Sequence, residues 1–193
     1  PPHRRLQSIT ASASKFFSSY AKSHLVDEKR AIAGTKKWIQ DWVIDQNMCP
    51  FAAKSSYEVV AHCGDTLDGV SDTLENALHN MFIGSKAKDL DQRYNIFITL
   101  PNVFTSQNSL EEFEELTSFL IANEELFCSP DELLFDSDAV FVVQTFHPEN
   151  YATRIHKYSM RSPWPTWHLL FSHDLKAAWG PNDKVSRHII EEN

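Results

Sequence analysis

AVFVVQTF, Ala139 to Phe146, is the stretch whose reading decides the fold. It is apolar almost throughout, β-branched and aromatic, and too short for a helix of ordinary length. It predicts a strand covered on both faces, as in the middle of an α/β sheet. His147 and Pro148 close it. An irregular connection follows, then RSPWPTWHLL from Arg161 to Leu170. Pro163 and Pro165 fix two φ angles and push Ser162 and Trp164 into extended conformations. Residues 167–171 are expected to form a further strand or to lead directly into a short helix.

Working outward, helices and strands alternate. Asp27 or Thr35 can cap a first helix to about residue 47, with Ile32, Ile39, Trp42 and Val43 as its apolar face. YEVVAHC (Tyr57–Cys63) reads as a strand. Asp68 then caps a second helix faced by Val70, Leu74, Ala77 and Leu78, and Gly84 is its expected stop. YNIFITL (Tyr94–Leu100) is the next strand. Ser109 with Glu112 has the pattern of a capping box at the head of a third helix, running to about residue 126. This order predicts a compact single α/β domain with three or four strands, helices packed on the sheet, and an irregular Pro-rich segment near the C-terminus.

Length and composition fit that reading. The 193 residues suffice for one self-sufficient core, and 42% apolar content is ordinary for a globular chain. Three cysteines, Cys49, Cys63 and Cys128, are an odd and widely spaced set, so no disulfide framework is implied. No stretch is apolar for long enough to make a transmembrane helix.

The formal net charge is −8, and its distribution carries more information than its sum. From Tyr94 to Thr153 there are carboxylates from Glu111 to Glu149 but no lysine or arginine. Such a sector repels phosphate backbones, which argues against nucleic acid as a partner and leaves a solvated face or a basic protein. Residues 1–26 are the opposite: Arg4, Arg5, Lys15 and Lys22 among serines, with no acid before Asp27. That composition is expected of an N-terminal extension, either what remains of an organelle transit segment or an arm across a partner. The domain proper is then 27–193, in a plastid or mitochondrion.

The candidate site residues are Cys49, His147, Arg161 and His168. Cys49 stands beside Pro50, past the first helix. His147 ends a strand, where a rigid sheet aims loops at ligands. Arg161 offers a planar fork for carboxylate or phosphate. Three readings remain open. Cys49 is a nucleophile with His147 or His168 as base and Arg161 orienting an anion. Or Cys49, His147 and His168 hold zinc with a water. Or the side chains cap loops and stack on Trp164 and Trp167. The sequence names no cofactor. It has no Gly-rich phosphate loop and no GxSxG elbow.

CPFA (Cys49–Ala52), FHP (Phe146–Pro148) and RSPxPTxHLL (Arg161–Leu170), following a helix with Trp38, together resemble a family of small bacterial and organellar proteins, domain-of-unknown-function family 1415. The resemblance spans about residues 30–190. It implies a compact α/β domain and supplies no reaction, substrate or cofactor. The chain departs from the family pattern where Phe171 and Ser172 replace an arginine and an acid, and where Thr153 replaces an aromatic. Losing polar partners while keeping packing motifs leads to the expectation of a non-catalytic accessory subunit. It would sit peripherally on a larger organellar assembly, a photosynthetic or respiratory membrane complex, with other protein subunits as partners. The alternative is a Cys/His or metal-dependent hydrolase acting on a small anionic substrate.

Overall fold

A computed structural model describes residues 25–45, 55–87, 94–122, 141–149 and 161–171. The elements in chain order are α1 (Glu28–Trp38), continued by a π-helical segment (Ile39–Ile44), β1 (Ser56–Ala61), α2 (Val70–Ala87), β2 (Tyr94–Thr99), α3 (Ser109–Ala122), β3 (Phe141–Phe146) and β4 (Thr166–Phe171). The strands form one mixed sheet in the order β1-β2-β4-β3. β1 runs parallel to β2, and β4 runs antiparallel to both β2 and β3. The carboxyl ends of β1, β2 and β3 therefore share one edge with the start of β4. The compact α/β architecture is the one expected, the sheet is mixed, and the fourth strand is present.

Strand alternation sorts the side chains onto two faces. The first face presents Ile96, Ile98, Trp167 and Leu169 to α2 and α3, where Leu74, Leu78, Met81 and Phe113 are buried. Trp167 is fully buried. Its ring stacks on Phe113, and its indole N–H donates to Thr117 Oγ1 at 2.8 Å. The second face presents Val59, Phe97 and Phe146 to Trp38 and Ile39 of the first helix.

Three local details differ from the sequence reading. Trp42 is 39% exposed, while Trp38 is buried in its place. The Asp45 N–H donates to the Gln40 carbonyl, an i→i+5 bond of a π turn, and Ile44 packs inward beside Val43, which keeps its expected place. α2 begins after Gly69, whose φ of 80° favours glycine, and runs on through Gly84 to Ala87. At α3 Ser109 is the first helical residue rather than the cap, and Ser106 ties the turn before the helix to Glu112. Ser106 Oγ accepts the Asn108 N–H and donates to Glu112 Oε2. Asp27 caps α1 as expected, its carboxylate accepting the Arg30 N–H at 2.9 Å.

β3, expected to be central, is an edge of the described sheet, and β4 is interior. Phe146 is buried against Trp38 on one face, and His147, just past the strand, lies against Phe113 on the other. An edge strand whose apolar residues pack on the core can read like a central one, and Gln144, exposed on the face toward α1, is where this strand differs.

Asn102, buried just past β2, joins the start of α1 to the sheet. Its Oδ1 accepts the Val26 N–H at 2.9 Å, and its Nδ2 donates to the carbonyls of Val26 and Cys63 at 3.0 and 2.9 Å. Residues 1–24, most of the expected extension, lie outside the described residues.

Candidate functional site

The Pro-rich stretch is stiff, as its sequence requires, and its polar groups turn inward. Ser162 Oγ and Thr166 Oγ1 both donate to the Trp164 carbonyl, and the Pro165 carbonyl accepts the Leu100 N–H. The Trp164 ring lies on Gly34 of α1, so close that a Cβ there would stand 2.6 Å from two ring carbons. Arg161 opens the stretch and is partly buried.

His168 lies within β4, on the face toward α1. Its ring stacks on Phe97 of β2, with centroids 3.9 Å apart and planes 7° from parallel. Nε2 is 2.9 Å from Asn95 Oδ1, and the Asn95 amide is oriented by its Nδ2 donating to the Ser56 carbonyl. Nε2 therefore carries the proton. Nδ1 lies 3.3 Å from Gln144 Oε1 of β3, and a half-turn of that exposed amide brings its NH2 group round to the lone pair. Burial pushes the pKa down to about 3. At neutral pH this imidazole is uncharged and a poor acceptor of a proton in a reaction.

His147 sits just past β3 and is 2% exposed. The Glu149 N–H donates to Nδ1 at 3.1 Å, and the ring leans on Phe113 of α3. Burial lowers its pKa, and the Glu149 carboxylate partly offsets that. His147 and Phe113 belong to the α2/α3 side of the sheet, whereas His168 and Phe97 belong to the α1 side. The sheet separates the two histidines, so they cannot serve one zinc ion or one nucleophile together. Cys49 lies outside the described residues. Among the described residues, no three His, Cys, Asp or Glu side chains converge to hold a metal ion.

A family model for proteins of unknown function matches residues 30–193. The chain belongs to the DUF1415 family. No curated protein and no solved structure matches it.

Within this DUF1415 domain, the carboxyl edge of β1 holds a second pair of polar residues. His62 Nε2 is 3.2 Å from the Thr66 carbonyl and Nδ1 is 3.3 Å from Thr73 Oγ1, so the ring organises the turn into α2. Burial, then Glu28 and Asp27, push the Cys63 thiol up, which keeps it protonated and poorly nucleophilic. Sequence reasoning missed Asn95, Gln144 and Asn102, the amides that fix His168 and α1. A polar residue inside each of the apolar runs YNIFITL and AVFVVQTF was the available signal.

Proposed function

We infer that this chain is a non-catalytic accessory domain, a peripheral subunit of a larger organellar assembly of the photosynthetic or respiratory kind. One observation supports this reading above others: the described side chains of the motifs, the catalytic candidates His147 and His168 among them, bond to the domain's own groups. His168 has amides at both nitrogens and a phenyl ring on one face. Ser162 and Thr166 both tie down the Trp164 carbonyl. His147 Nδ1 holds the turn after β3. Side chains so engaged specify a fold rather than meet a substrate. The outer side of α3, with Glu111, Glu114 and Glu115 exposed, offers a basic partner a complementary surface.

The deciding measurement is native size in a gently solubilised organelle extract, by gradient sedimentation with immunodetection. Co-migration with a complex much larger than 22.1 kDa is expected. Sedimentation as a free monomer would sink the reading. The rival hydrolase then becomes testable through Cys49: Cys49→Ala would abolish turnover of a small anionic ester while the fold persists.

A further inference from the structure

His147 stands where the end of β3 meets the first turn of α3. Its Nδ1 accepts the Glu149 N–H, a two-residue loop of the kind an asparagine makes with its own chain. That role places the ring proton on Nε2, which is buried and has no hydrogen-bond partner among the described residues. Glu149 is also tied to α3, because Ser109 Oγ donates to its Oε2 at 3.3 Å. One residue thus holds His147 through its amide and the first residue of α3 through its carboxylate.

A proton arriving at Nδ1 disrupts this arrangement. The lone pair that held the Glu149 N–H is consumed, and two donors face each other. A buried imidazolium then needs an acceptor. The surrounding charges narrow the choice. In its first turns α3 carries Glu111, Glu112, Glu114 and Glu115, of which Glu112 already accepts from Ser106. Phe113, on which the ring leans, and Trp167, stacked on Phe113, are neutral. His168 lies across the sheet, and Arg161 is a cation upstream of β4. Glu149 is the carboxylate whose field reaches the imidazole.

We propose that Glu149 is the moving arm of an acid-operated switch. When His147 takes up a proton, the Glu149 carboxylate leaves Ser109 for the imidazolium, and the first turn of α3 is released from the end of β3. One proton is gained from solvent, no covalent bond between heavy atoms changes, and the junction goes from one negative charge to a neutral ion pair. The device couples pH to how the acidic helix is held, and it stands whether or not the accessory-subunit reading holds.

Nuclear magnetic resonance on the full chain, from about pH 8 to about pH 4.5, tests it across the range where histidines titrate. At high pH the His147 ring nitrogens should report the Nε2–H tautomer. The titration midpoint should fall below 6.5, the ordinary value, and the Glu149 and Ser109 amide resonances should move with it. Two substitutions should shift that midpoint in opposite directions, each by about half a pH unit or more. Glu149→Gln removes the receiving charge and lowers it. Ser109→Ala removes the competing donor and raises it. His147→Asn keeps an acceptor for the Glu149 N–H and should abolish the pH-linked movement. The proposal is overturned if the Ser109 resonance ignores the His147 midpoint, or if the two substitutions leave that midpoint unmoved or shift it the same way. Should a variant fail to fold, the linked movement of Ser109 and His147 in the unaltered chain decides the matter.

Discussion

Gly34 lies in the middle of α1, where alanine would ordinarily favour the helix by about 1 kcal/mol. The Trp164 ring occupies the space that a Cβ would need. Gly34→Ala should therefore destabilise the domain, by about 1–3 kcal/mol as an overpacked contact, read from the urea midpoint. His168 acts through its charge instead. Its pKa is 6.5 in the unfolded chain and about 3 in the folded one. Above pH 6.5 its contribution to stability is fully present, because both states are neutral. As pH falls from 6.5 toward 3, the unfolded chain takes a proton that the folded chain refuses, and that contribution is lost. The slope is at most about 1.4 kcal/mol per pH unit. Urea unfolding of the unaltered chain and of His168→Asn, compared between about pH 7.5 and about pH 5, should show a shallower loss in the variant. Parallel profiles would refute the assignment. Histidine as a candidate was legible from the sequence. That it would be neutral was not, because its neutrality is set by Phe97, Asn95 and Gln144 on two other strands.

β4 is the element on which the rest depends, because it lies between β2 and β3 and carries Trp167 into the core. Trp167→Ala should cost about 3–5 kcal/mol, the range for removing a buried aromatic ring. Trp167→Phe keeps most of the buried area and loses the bond to Thr117, so it should cost about 1 kcal/mol, measured by the same denaturation. α1 is attached differently, by a buried amide at its start and ring packing along its length. Asn102→Ala strands the backbone groups of Val26 and Cys63, and a loss of about 1–3 kcal/mol is expected. Hydrogen exchange should show the loss locally: amides of α1 exchange faster while those of β2 and β4 stay protected. Equal acceleration everywhere would mean that α1 and the sheet open as one unit. The strand character of β4 was only half legible from its sequence. A short apolar run after Pro165 reads as a strand or as a lead into a short helix, and the pairing with Phe97 and Gln144 decides between them.

At the scale of the whole molecule, the sheet is both support and partition. It holds His147 against α3 and His168 toward α1, so the two histidines among the four candidate residues do not share one site. The sequence by itself determined the class of fold, the alternation of helices and strands, Asp27 as one of two candidate caps, and membership of the family. These are properties of local pattern: periodicity, capping chemistry and the fixed φ of proline act within a few residues of where they are written. Tertiary structure alone decided that, in the described sheet, β4 is interior and β3 an edge, that the two histidines lie on opposite sides, and which amides hold them. The physical reason is that the face a strand residue presents follows from pairing register. That register is settled by contacts between residues such as Asn95 and His168, 73 positions apart in the chain.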